Sequence, residues 1–146
     1  MTPGDDDGLC ADWTDLNTLV ADHSGDYAWQ FFQVTTEDDY EIKLFNFSGD
    51  SAGDPTANQF SKSSVLFLAP ARQDCSWWLN VQDDAYDSIP KQLFDMGYDV
   101  WLGCKRGTQF SLTHDTLNSV DDAEQYWNFN TDTIATKDIP RMVGFI

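Results

Sequence analysis

Two continuous apolar runs, Val65-Leu66-Phe67-Leu68-Ala69 and Val100-Trp101-Leu102, flank a segment that carries a helix's start and stop signals, and no other feature constrains the chain as much. Neither run alternates apolar with polar residues, so each reads as a strand buried on both faces. Between them Ser88-Ile89-Pro90 supplies a cap residue and an early proline, Gly97 closes the segment, and Leu93, Phe94 and Met96 form its apolar face. Residues 65–102 thus spell a strand-loop-helix-strand unit with a right-handed crossover and two parallel strands. The fold class is α/β.

Upstream, Phe31 to Thr35 and Tyr40 to Phe47 are strand-like and are separated by the polar Thr36-Glu37-Asp38-Asp39, which predicts a β-hairpin. Trp13 to Ala21 places Leu16, Leu19 and Val20 at helical spacing, while residues 1–12 read as a flexible acidic N-terminus. Residues 48–63 read as a polar surface loop. Residues 121–146 read as two helical pieces, with Ile139-Pro140 opening the second. With 146 residues and no repeat, the remaining stretch 13–146 is expected to be one domain.

The charge balance excludes several functions. Twenty-five acidic residues against eight basic ones leave a formal net charge of −17, and no basic stripe offers phosphate neutralisation, so nucleic acid is not an expected partner. The acids sit in turn-like stretches such as Asp5-Asp6-Asp7, Asp83-Asp84 and Asp121-Asp122, and none follows the spacing of a calcium loop. His23 and His114 lie in separate segments, both read as exposed. Cys10, Cys75 and Cys104 include no C-x-x-C pair and leave room for one disulfide with one thiol over. No metal or cofactor is expected. No apolar run reaches the ~18 residues that span a bilayer, and the N-terminus has no basic and apolar leader pattern. Asn46-Phe47-Ser48 matches the glycosylation sequon.

Three stretches carry a family resemblance: Val34-Thr35-Thr36-Glu37-Asp38-Asp39-Tyr40, Gly97-Tyr98-Asp99-Val100-Trp101-Leu102-Gly103, and Lys105-Arg106-Gly107. They resemble, in order, the V-T-E-D-G-Y, G-Y-D-V-W-L-G and S-R-G motifs of the acid lipases, the gastric and lysosomal lipases and related steryl ester hydrolases. Tyr126-Trp127-Asn128-Phe129 and Lys137-Asp138-Ile139-Pro140 resemble that family's F-W-x-F and Y-D-L-P. The resemblance implies an α/β-hydrolase fold with strand order 1-2-4-3-5, truncated here after the fourth strand, and a secreted or lysosomal precedent that leaves the compartment open. It also implies that Gly97, Tyr98, Asp99, Trp101, Gly103, Arg106 and Gly107 are structural; in a chain of net charge −17, Arg106 is expected to pair with a buried acid such as Asp99 or Asp138. Trp77, Trp78, Trp101 and Trp127 are expected to be core or loop-packing residues. Asp39 stands where the family has glycine and should adopt positive φ.

The departures shape the functional expectation. The family's oxyanion stretch H-G-L-L-A-S aligns onto Ala69-Pro70-Ala71-Arg72-Gln73-Asp74, so Ala69, Pro70 and Ala71 form a degenerate oxyanion region; Pro70 lacks an N–H, and Ala71 keeps the expected donor. The expectation is a chain with no G-x-S-x-G elbow, with the family's Ser, Asp and His lying beyond Ile146. This reading expects a non-enzymatic structural or interaction subunit of a larger assembly or homo-oligomer. The alternative is the N-terminal half of a split lipase or steryl esterase whose nucleophile lies on another chain. In either case Val65, Leu66, Phe67 and Leu68 form an open edge to be completed by another chain or a second copy, and a lipid ligand would need the groove beneath it.

Overall fold

The structure, a computed structural model, describes residues 28–48, 62–79 and 88–146. The segments read as an acidic N-terminus (1–12), as a helix over Trp13 to Ala21, and as most of the loop 48–63 lie outside the described residues, as do His23 and Cys10.

Strands β1 (Ala28–Thr35) and β2 (Tyr40–Ser48) form the expected hairpin, in register from Thr35 opposite Glu41 to Ala28 opposite Ser48. Its turn is closed by Asp39 N–H donating to the Thr36 carbonyl at 3.1 Å, and Asp39 takes φ 68°, the left-handed conformation that a glycine would otherwise supply. Strand β4 (Asp99–Cys104) runs antiparallel to β2, and β3 (Ser64–Leu68) runs parallel to β4, from Ser64 opposite Asp99 to Leu68 opposite Gly103. The resulting order β1-β2-β4-β3 matches the first four places of the order implied by the resemblance. A two-residue strand β5 (Thr113–His114), which the sequence reading lacked, pairs with β2 and makes the sheet five-stranded and mixed.

Both faces of the sheet are covered, which is why its central strands are apolar without alternation. On one face Phe45 and Phe47 of β2 and Val100, Leu102 and Cys104 of β4 pack with Phe67, Cys75, Leu79, Phe94 and Phe110. On the other, Ile42 and Leu44 pack with Val34, Trp101 and Met142. Helix α1 (Ile89–Asp95) connects β3 to β4 and contributes Phe94. The Ser88 side chain accepts from the Lys91 N–H at 3.3 Å at its start. At its end Gly97, at φ 86°, donates to the Phe94 carbonyl while Tyr98 N–H reaches the Leu93 carbonyl, a Schellman termination. A 3-10 turn (Cys75–Trp78) precedes it, with the Asp74 side chain accepting from Ser76 N–H. One disulfide, Cys75–Cys104, ties this turn to the end of β4.

The C-terminal segment departs from the expectation of a second helix opened by Pro140. After α2 (Ala123–Tyr126), a helical run begins with α3 (Thr131–Thr133), widens into a π turn (Ile134–Asp138) and continues as α4 (Ile139–Val143). Pro140 has no N–H to give and crowds the preceding turn, and the wider turn accommodates it inside one continuous run. The tryptophans also divide: Trp101 is buried and Trp78 packs on the core, but Trp77 and Trp127 are exposed. Asn46 of the sequon is buried in β2 and donates to Asp99 at 2.7 Å and to the Val100 carbonyl, so its amide cannot carry a glycan in this fold. Among the described residues no helix is long and apolar enough to cross a membrane.

Gly103 is enclosed: a Cβ there would sit 2.7 Å from Met142 Sδ and 2.8 Å from Leu68 Cδ2. Both neighbours are ends of side chains that can shift at a cost. Gly103→Ala should therefore lower stability by about 1–3 kcal/mol, read as a lower urea midpoint at unchanged slope.

Candidate functional site

The chain after β4 carries both the largest buried charge and the residues nearest the oxyanion stretch. Arg106 is 2 % exposed, and its guanidinium is held between two carboxylates. Nε donates to Asp138 at 2.7 Å, Nη1 and Nη2 form a fork on Asp38 at 2.8 and 2.9 Å, and the Arg106 backbone N–H reaches the second Asp138 oxygen at 3.0 Å. The guanidinium also lies 4.0 Å over the Tyr40 ring. Of the two acids proposed from sequence for Arg106, the structure brings in Asp138 and not Asp99. Asp99 instead accepts from Asn46, Ser64 and the Trp101 indole. The partner that the sequence reading missed is Asp38, in the hairpin turn, which Thr36 and Lys137 also contact.

Burial raises the Asp38 carboxyl, but the hydrogen bonds and charge of Arg106, with Thr36 and Lys137, outweigh it and hold Asp38 well below the usual carboxylate range. Burial works against the Arg106 charge, and the two aspartates more than restore it. Burial lifts the Tyr40 phenol above its ordinary value against the opposing Arg106 charge. The guanidinium and the two carboxylates of this cluster are paired with one another in a buried ion network.

The degenerate oxyanion region lies where α/β sheets bind ligands, at the C-terminal end of a parallel strand. Ala69 is buried, whereas Pro70, Ala71 and Arg72 are exposed. The Gln73 N–H donates to the Pro70 carbonyl at 3.1 Å and Arg72 takes φ 66°, which defines a type II turn with an arginine where glycine is usual. The Ala71 N–H meets no acceptor among the described residues. Lys105 Nζ donates to the carbonyls of Ala69 at 2.6 Å and Pro70 at 2.9 Å. Burial pushes the Lys105 ammonium down, and the charge of Asp138 partly opposes this.

Beside this turn the outer edge of β3, Val65 to Leu68, has no strand partner among the described residues, and Val65, Leu66 and Leu68 are only half-buried. Of the residues expected to be structural, Gly97 and Gly107 take positive φ, Trp101 packs in the core, and Gly103 admits β3 and Met142 side chains. His114 is half-buried and not exposed as expected; its ring meets Tyr40 and its Nδ1 accepts from the Thr116 and Leu117 N–H groups. No group of three His, Cys, Asp or Glu among the described residues is arranged to hold a metal.

No family profile matches the chain. Individual proteins do. Human lipase member N is 33 % identical over 135 residues, covering 92 % of this chain and 32 % of that protein. Triacylglycerol lipase 2 of Arabidopsis thaliana is 32 % identical over 85 % of this chain and 29 % of its own length. A probable lipase of Schizosaccharomyces pombe is 34 % identical over 77 % and 24 %. The chain thus spans a quarter to a third of the length of these relatives.

These relatives overturn the expectation of a non-enzyme, because what the chain matches over most of its length are lipolytic enzymes. The expectation that the letters G-x-S-x-G are missing is also wrong: Gly49-Asp50-Ser51-Ala52-Gly53 spells them. That pentapeptide lies outside the described residues and follows β2, a strand antiparallel to both its neighbours in the main sheet. A nucleophile elbow instead joins a strand to a helix at the top of the parallel sheet.

The Arg106 network sets an acid limit on stability. As pH falls, the unfolded Asp38 takes up its proton at the ordinary carboxylate value, near 4, before the folded one does, so stability present above that value is lost below it. Asp38→Asn should flatten the decline of the urea midpoint between about pH 4 and pH 2. Asp138→Ala, which strands a buried guanidinium, should cost about 3–5 kcal/mol at neutral pH.

Proposed function

We propose that this chain, a partial lipase-like region over most of its length, is the part of a lipid-ester hydrolase that supplies the hairpin edge, the first parallel strands and the oxyanion turn of an α/β-hydrolase sheet. The nucleophilic serine, with the acid and base that activate it, comes from sequence outside residues 1–146, on a further segment or a separate polypeptide. The observation that carries this reading is the position of the turn Ala69–Asp74. It follows the β3 strand of a β1-β2-β4-β3 sheet, the location from which hydrolases of this fold aim one of two backbone N–H groups at the substrate oxyanion.

In that role Ala71 N–H is the donor from this chain. Replacement of the motif's glycine by Pro70 removes only the proline's own N–H, and the next peptide keeps its hydrogen. The oxyanion formed when a serine attacks an ester carbonyl would accept from Ala71 and from the residue after the nucleophile. The edge Val65–Leu68, without a strand partner among the described residues, is where the complementing strand adds, and the half-buried Val65, Leu66 and Leu68 favour a protein partner over solvent. The net charge of −17 disfavours anionic substrates and suits neutral esters.

The test is to purify the native particle, identify every polypeptide in it, and treat it with a fluorophosphonate probe and with p-nitrophenyl butyrate. The expected result is one labelled serine outside residues 1–146 and ester hydrolysis that the label abolishes. A Ser51→Ala particle should label and hydrolyse as the parent does. Absence of both label and hydrolysis in the intact particle would overturn the hydrolase reading, and labelling of Ser51 would overturn the placement of the nucleophile.

A further inference from the structure

We propose that Lys105 is the positioning residue of the oxyanion turn, holding the Pro70–Ala71 peptide plane so that the Ala71 N–H points at the reacting centre; this rests on the hydrolase reading above. The argument starts from the planarity of the peptide bond. The Pro70 carbonyl and the Ala71 N–H belong to one rigid trans unit and point in opposite directions, so whatever fixes the oxygen aims the hydrogen. Two donors fix that oxygen: Lys105 Nζ at 2.9 Å and Gln73 N–H at 3.1 Å. Lys105 also holds the preceding carbonyl, Ala69, at 2.6 Å, so both peptide planes at the start of the turn are tied to one ammonium group. Donation to the carbonyl also polarises the peptide and makes its N–H a stronger donor.

Among the described residues the ammonium has no competing ion pair, with no carboxylate within ion-pair distance of Lys105, although acids outnumber bases three to one in the chain. Its base is held on both sides. Cys104 immediately before it is bonded to Cys75, just beyond the turn, and Arg106 immediately after it is locked by Asp38 and Asp138. The turn is therefore fastened near both ends to the same stretch of chain, at Ala69 and Pro70 by Lys105 and at Cys75 by the disulfide.

Two departures from the acid-lipase pattern thus meet. Pro70 stands in place of the glycine of H-G, and Lys105 in place of the serine of S-R-G, and the lysine holds the carbonyl of the proline. Loss of the His-Gly pair is compensated by a cation that keeps the turn's shape from the neighbouring strand. The lysine touches backbone and not substrate, so its effect is on geometry.

The experiment compares Lys105→Met, which keeps the stem and removes the ammonium, and Lys105→Arg, which keeps a donor, with the parent in the intact particle. Millisecond hydrogen exchange reads the peptide spanning residues 69–75, and p-nitrophenyl butyrate hydrolysis reads kcat and KM separately. Lys105→Met should speed exchange at the Gln73 amide and lower kcat about tenfold, less than the loss of an oxyanion donor outright, with KM little changed. Lys105→Arg should restore part of both. Exchange in the hairpin residues 35–41 should not change, which separates a local release from unfolding. Unchanged exchange in Lys105→Met would overturn the clasp, and faster exchange with unchanged kcat would overturn its link to catalysis while leaving the hydrolase reading intact. A parent particle without esterase activity would fail the hydrolase reading and this inference with it, whereas the exchange data would still show whether the turn is held.

Discussion

A cation buried in a strongly acidic chain is the constraint on which the rest of the structure turns. The Arg106 guanidinium cannot leave water unless each of its N–H groups finds an oxygen, and an uncompensated buried charge costs several kcal/mol. Its acceptors come from places far apart in sequence, Asp38 in the hairpin turn and Asp138 at the end of the π turn. The hairpin, the end of β4 and the C-terminal helical run must therefore arrive together. Apolar packing on the two sheet faces provides attraction with little direction. The fork on Asp38 and the paired contacts on Asp138 admit one geometry and so set how the three segments meet.

That geometry bears directly on the candidate site, because Cys104, Lys105, Arg106 and Gly107 are consecutive and each makes a different connection. Cys104 is bonded to the 3-10 turn, Lys105 holds the carbonyls after β3, Arg106 anchors the hairpin and helical run, and Gly107 takes positive φ against Phe129 and Trp127. A strand end with four such connections has little freedom. It is a suitable base for the proposed oxyanion turn, since groups aimed at a developing charge stabilise it only when they need not reorganise.

The parts of this arrangement legible in the sequence were those encoded locally. Ser88, Pro90 and Gly97 mark the ends of α1 through caps and φ, and the positive φ of Asp39 follows from its standing where the resembling family has glycine in the hairpin turn. The unbroken apolar runs gave the parallel pair because a sheet covered on both faces has no reason to alternate. What failed depended on distant parts of the chain. Asp38 looked like one more solvated acid in a turn, and nothing within ten residues signals that the turn folds over Arg106. Asn46 fits a sequon by three letters, but its burial follows from Asp99 across the sheet. The π turn around Pro140 depends on the whole run from Thr131 staying helical, which a local breaker signal does not convey. Gly49–Gly53 matches the letters of the elbow motif, but letters alone do not make an elbow, which requires a strand-to-helix turn at the top of the parallel sheet.

The same distinction between letters and geometry applies to the altered oxyanion stretch. His and Gly in an oxyanion stretch are the usual means to an end, and the end is a backbone N–H held at a fixed angle. Every residue except proline carries that N–H, so in the proposed role Pro70 removes only its own hydrogen and Ala71 keeps the one that would act. What glycine contributes is access to a turn conformation, and here the positive φ falls on Arg72, at a cost of about 1–2 kcal/mol. The Gln73–Pro70 hydrogen bond, the Lys105 ammonium and the Cys75–Cys104 disulfide together hold the strained turn. A turn stabilised from three directions against its own backbone preference has its shape fixed by its surroundings, whichever residues provide them.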